Sequence, residues 1–115
     1  MEHTDEFEHG WNRLSEGYQE DITAYVSLLE ERGPQLPYPY CSRVFGSRHE
    51  HMRELRVQSA GRPLRVYYAF DPERSAILLM GGEKTGDGRF YLRMTPLADR
   101  LYDEHSEALK NEKQG

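Results

Sequence analysis

The sequence predicts an α+β domain: two helices, then a mostly antiparallel sheet, then a closing helix. Three observations carry that reading. Side chains recur at steps of three or four through Phe7, Trp11 and Leu14, through Tyr18, Ile22, Tyr25 and Leu29, and again through Phe90, Met94, Leu97, Leu101, His105 and Ala108. That is the period of helices with one packed face. Between them, Arg53–Gln58 and Leu64–Phe70 alternate with period two, which marks strands with one buried face. A short turn, SAGR, joins these two runs, so they pair antiparallel.

Taken in order, Asp5 and Glu8 stand at capping-box spacing, and a short first helix is expected with Asp5 as its cap. Ser15 starts a second helix, and Gly33-Pro34 stops it. The two form a helical hairpin with an acidic outer face and an aromatic inner one, in which Trp11 and the tyrosines are core. Residues 34–46, PQLPYPYCSRVFG, are expected as an extended crossover, because each proline biases its predecessor away from the helical region. Tyr38 and Tyr40 have the rings to stack on bases but are expected to pack under that loop, and Cys41 is expected to be an inert, half-buried thiol.

After the strand pair, DPERS turns the chain into a third strand, Ala76–Gly81. AILLM is apolar on both faces, so this strand belongs inside the sheet. The following GGEKTGDGR has the glycines and lysine of a phosphate loop without the Walker spacing. In the last helix the packed phase runs through Pro96. That favours one kinked helix over a fresh start with Thr95 as cap. The polar tail after Leu109 is expected to fray.

Composition bounds the answer. With 115 residues, 37% hydrophobic and 30% charged, the chain (1–115) is one folded domain with one modest core. Its longest apolar run, Ala76–Met80, is too short to span a bilayer, and the acidic opening MEHTDEFE has no signal-peptide character. A single cysteine excludes an internal disulfide and points to a reducing cytoplasm. The net charge of −5 is unevenly spread. Residues 1–42 carry two Lys/Arg against nine Asp/Glu, whereas 43–93 carry ten against six. A basic strand region between acidic flanks points to a local anion site.

The strand pair sharpens this. Directly opposed residues of an antiparallel pair share a face, so the apolar sets fix the register. Val57 opposes Leu64, Leu55 opposes Val66, and Arg56 therefore opposes Arg65 on the other, uncovered face. Like charges directly opposed are destabilising, so a bound anion or a nearby carboxylate such as Glu54 is expected with them. The phosphate reading puts both guanidinium groups side by side in an open groove.

The motifs GSRHEHMRELRV, GRPLRVYYAFDP and AILLMGGEKTGDGRFY, in this order and preceded by TDEF…LLEERGP, resemble the RelE/HigB group of bacterial type II toxins, in its phage-derived HigB-like branch. The resemblance covers essentially the whole chain. It implies a helical hairpin packed on a small, twisted, mostly antiparallel sheet, with the C-terminal helix beside a cleft. Relatives begin with an edge strand, for which only MEHT is present here. The resemblance also implies an endonuclease that cuts messenger RNA on the ribosome, without metal or other cofactor, held inactive by a helix-turn-helix (HigA-like) antitoxin. It places the family's functional positions on Arg65, Lys84 and Tyr91, with Arg56 at a basic position on the preceding strand. Where some relatives carry lysines on that strand, this chain has Met52 and Glu54, so a lysine-based mechanism does not transfer.

Metal-independent RNA cleavage needs a base for the 2′-hydroxyl, positive charge for the phosphorane and an acid for the leaving 5′-oxygen. Arginine forks match phosphate and stay charged, which suits Arg56 and Arg65, with Arg48, Arg53 and Arg89 as further phosphate contacts. Candidate bases are His49, His51 and Glu54. The two histidines at i, i+2 have no further cluster to make a metal site. Lys84 serves as acid or phosphate clamp, and Tyr91 as a stacking or orienting residue. Two other readings stay open: a ParE-like toxin acting on DNA gyrase, and a non-toxic nucleic-acid-binding regulatory module.

Overall fold

The computed structural model describes residues 1–114. Its elements are β1 (Glu2–His3), α1 (Asp5–Asn12), α2 (Glu16–Arg32), a 3-10 turn (Gly33–Gln35), β2 (Cys41–Arg43), β3 (Arg53–Ser59), β4 (Arg62–Phe70), β5 (Ala76–Glu83) and α3 (Phe90–Gln114). The sheet order is β1-β5-β4-β3-β2, antiparallel throughout except for the β1–β5 edge. This is the α+β architecture the sequence predicts, a helical hairpin on a small, mostly antiparallel sheet with a C-terminal helix.

The register of the central pair is the expected one: Leu55 faces Val66, Val57 faces Leu64 and Arg56 faces Arg65. Period-two alternation then sorts the sheet into two faces. Leu55, Val57, Leu64, Val66, Tyr68 and Leu78 pack against Ile22 and Leu29 of α2, with Phe7, Trp11, Tyr18 and Tyr25 partly buried around them. Tyr67, Ala69, Ile77 and Leu79 pack against Phe90, Ala98, Leu101 and Tyr102 of α3. A register shift at Tyr67/Tyr68, opposite Leu78 and Met80, re-aims β5 at this point. The second face is therefore covered by α3 over most of its length, where the sequence left it open.

Four local expectations change, and the open question of the edge strand is answered. Thr4, not Asp5, caps α1: its Oγ1 accepts from the Phe7 N–H and donates to the Leu79 carbonyl, pinning the helix to β5. The edge strand is present as two residues, Glu2 and His3, paired with Ile77 and Leu78. The crossover contains strand β2, on which Cys41 is fully buried, its thiol donating to the Leu36 carbonyl at 3.1 Å. Strand β5 continues two residues past Gly81, because glycine there allows the close approach of β4: a Cβ on Gly81 would lie 2.9 Å from the Arg65 carbonyl. Helix α3 runs unbroken through Pro96 to Gln114, so the tail expected to fray is helical. Gly115 lies outside the described residues.

Other calls hold. Ser15 caps α2, its Oγ accepting from the Tyr18 N–H, and Gly33 ends it at φ 58°. Ala60 (φ 52°) and Gly61 (φ 77°) make the two-residue turn of the β3–β4 hairpin, both in the left-handed region such turns use. No helix among the described residues is long and apolar enough to cross a membrane.

Candidate active site

The charged residues of the α3-covered face gather where that cover ends. Glu54 on β3 lies between the two opposed arginines, its side chain 3% exposed. Its Oε1 is 3.5 Å from Nη1 of Arg56 and 3.6 Å from Nε of Arg65, and it accepts hydrogen bonds from Tyr91 Oη (2.8 Å) and Ser42 Oγ (3.1 Å). Its Oε2 is buried with no hydrogen-bond partner among the described residues, and the same holds for Arg65 Nε. The expected like-charge pair therefore exists, with the carboxylate that offsets it supplied by the strand itself.

The pair does not project jointly into a groove. Arg65 is buried, donating from Nη1 to the Leu64 carbonyl at 3.1 Å. Opposite it stands Gly82, where a Cβ would meet Phe90 at 3.2 Å and Met94 at 3.4 Å, so the first turns of α3 close that end. Arg56 remains 29% exposed, its guanidinium 5.2 Å above the Tyr38 ring. A groove of 570 Å³ opens over it, lined by Tyr38, Ser42, Arg43, Val44, Phe45, Glu54, Arg56 and Tyr91.

Tyr91 stands on the first turn of α3, and Lys84 Nζ lies 5.0 Å over its ring. Burial, then the hydrogen bond to Glu54, pushes its phenol above the ordinary tyrosine value, with Arg65 pulling the other way. The phenol is thus protonated at neutral pH and can donate. Beside it, Tyr67 is pushed up to about 12 by burial, and its hydroxyl bonds Thr95 Oγ1 at 2.8 Å, joining β4 to α3.

The remaining candidates are dispersed. His49 Nε2 bonds Asp103 Oδ1 at 2.8 Å, while Arg48 pairs with Asp99 and Asp103. Asp103 is twelve residues along α3 from Tyr91, roughly 18 Å at 1.5 Å per residue. His49 and His51 pack edge-on against Tyr102, and burial, then His49, lowers the His51 pKa. This loop is latched to α3 through Ser47, whose hydroxyl donates to Asp99, and neither histidine meets the arginine pair. Arg53 shares the pleat of Leu55, opposite Tyr68, and so lies on the face away from Glu54 and Arg56. Arg89 is exposed in the loop before α3, where Asp87 Oδ1 accepts from its backbone N–H. Glu2, Asp71 and His105 form one group of metal-ligand type, far along α3 from the groove. Asp71 there is already bound by His105 and by the N–H groups of Glu73 and Ser75. Sequence reasoning missed Ser42 and Phe45, since neither strand β2 nor its pairing with β3 was visible in a proline-rich run.

A five-stranded, mostly antiparallel sheet carrying a helical hairpin on one face, and a tyrosine-bearing helix beside a cation-lined groove on the other, defines a RelE-like α+β domain. The chain belongs to the family of phage-derived Gp49-like proteins, whose model matches residues 10–103. It is similar to two curated proteins of Mycobacterium tuberculosis. One, named "Putative toxin HigB2", is 42% identical over 96 residues, 82% of this chain and 48% of that protein. The other, named "Putative toxin HigB3", is 44% identical over 80 residues, 69% of this chain and 68% of that protein. The chain thus spans about half the length of the first relative and about two thirds of the second. No solved structure gives a significant match.

Proposed function

We propose that this chain is the toxin of a type II toxin–antitoxin pair and cuts messenger RNA on the ribosome without a metal. Family membership and the names of the two relatives support the toxin assignment. The observation that carries the chemistry is the grouping of a carboxylate, a phenol and a half-exposed guanidinium at one groove wall: Glu54, Tyr91 and Arg56.

In this reading Glu54, which lines the groove, takes the proton of a 2′-hydroxyl once entering RNA displaces the side chains that bury it. The 2′-oxygen attacks the adjacent phosphorus, and Arg56, with Lys84 at the Tyr91 ring, stabilises the charge that develops there. Tyr91 gives its proton to the departing 5′-oxygen, leaving a 2′,3′-cyclic phosphate and a 5′-hydroxyl. The 2.8 Å bond between Tyr91 and Glu54 then returns the proton to the phenol. Arg65 acts from behind as a positioning residue for Glu54, and His49 and His51 take no step. Message positioning is left to the ribosome, so in this reading the protein acts in the cytoplasm. A helix-turn-helix antitoxin silences the site by covering the groove.

One observation favours a second reading. Glu54 lies within 3.6 Å of both arginines and offsets their charge, which suits a ParE-like toxin that poisons DNA gyrase without cutting RNA. The purified chain, added to a translating extract, should leave cuts within translated message, mapped by primer extension and absent with Glu54→Gln. Intact message together with gyrase-linked DNA damage in expressing cells would instead establish the second reading.

A further inference from the structure

The groove beside Tyr91 is also lined by two aromatic rings that the chemistry above does not use. Tyr38 is 70% exposed and Phe45 80%, among the largest apolar groups left in solvent. Each has an arginine against its ring: Arg56 at 5.2 Å from the Tyr38 centroid and Arg43 at 5.8 Å from that of Phe45. All four side chains line the same groove. Strand β2 (Cys41–Arg43) lies between the two rings in the chain and is paired to β3 at Ser42–Glu54.

We infer that Tyr38 and Phe45 are stacking platforms for two bases of single-stranded RNA, with Arg56 and Arg43 taking the intervening backbone. The inference rests on the RNA-cleaving reading of the groove and extends it to substrate binding. Exposed rings alternating with cations are the pattern that binds single-stranded nucleic acid with little sequence preference, because every base has a π-face and every link a phosphate. An apolar protein partner fits less well. The rings are set apart beside guanidinium groups, and the one acid lining the groove, Glu54, is buried.

The test uses a fluorescein-labelled, 2′-O-methyl RNA octamer, which cannot be cut, and the full chain, read by fluorescence anisotropy. Tyr38→Ala and Phe45→Ala should each weaken binding roughly 5- to 100-fold. Tyr38→Trp and Phe45→Trp should retain it, and Phe45→Leu, apolar without a π-face, should not. An abasic oligomer of the same length should not distinguish these variants. Arg56→Gln should reduce the salt dependence of binding, whereas the aromatic variants leave it unchanged. Alanine variants that bind the octamer and cut message like the wild type overturn the inference, including when they lose capture of a helix-turn-helix antitoxin. A wild type that binds the octamer through these rings but cuts no message keeps the inference and removes the nuclease reading. A wild type that neither binds nor cuts removes both.

Discussion

The hydroxyl of Tyr91 donates to Oε1 of Glu54 at 2.8 Å, tying the first turn of α3 to the start of β3. One hydrogen bond thus couples the position of the C-terminal helix to the carboxylate between the opposed arginines. It makes Tyr91 a probe of both stability and chemistry.

Tyr91→Phe removes a hydrogen bond to a charged group and should lower unfolding stability by about 1.5–3 kcal/mol in urea titrations. Loss of a proton donor should also cut message cleavage by roughly 10²- to 10⁴-fold. A variant that cleaves like the wild type would remove Tyr91 from the acid role.

Glu54 and Arg65 are both buried, so removing one strands the other. Glu54→Leu alone should cost about 3–5 kcal/mol, while Glu54→Leu with Arg65→Met should be much closer to the wild type. A double-mutant cycle by chemical denaturation reads the coupling, and additive losses would contradict it.

Acid sensitivity should trace in part to Asp71. Burial on its own raises that carboxyl, but the hydrogen bond from His105 and those from the Ser75 and Glu73 N–H groups outweigh it, leaving the pKa below 3.8. A carboxylate depressed on folding contributes stability that is present above its unfolded pKa and lost as pH falls through the folded one. Asp71→Asn should therefore be less stable than the wild type at pH 7, with the gap narrowing below about pH 4, where the unfolded carboxyl of roughly 3.9 protonates. Urea midpoints at pH 7, 5, 4 and 3 measure this.

The hairpin turn holds a correctable local cost. Ala60 sits at φ 52°, where a Cβ is disfavoured by about 1–2 kcal/mol. Ala60→Asn, the residue this turn prefers, should raise stability by about 0.5–1 kcal/mol with message cleavage unchanged. Thermal denaturation shows it directly.

Much of this site could be read in the chain before it was folded in space. Leu55, Val57, Leu64 and Val66 leave one register that buries all four, and Arg56 then has to face Arg65. The same alternation also places Arg53 with Leu55, away from the groove, although its charge made it look like a phosphate contact. The helix caps were legible to within a residue, Thr4 doing what Asp5 was expected to do.

Alternation, turn chemistry and capping are local properties, set by neighbours a few residues apart, and so the fold class, the hairpin register and the opposed arginines follow from residue order alone. Which of those arginines stays open to solvent was decided only by tertiary packing. Phe90 and Met94, far along the chain, close over Gly82 and bury Arg65, while Asp99 and Asp103 draw the Arg48–His49 loop away to the middle of α3. Burial and charge pairing between distant segments depend on how a helix lies across a sheet, and no spacing within either element encodes that placement.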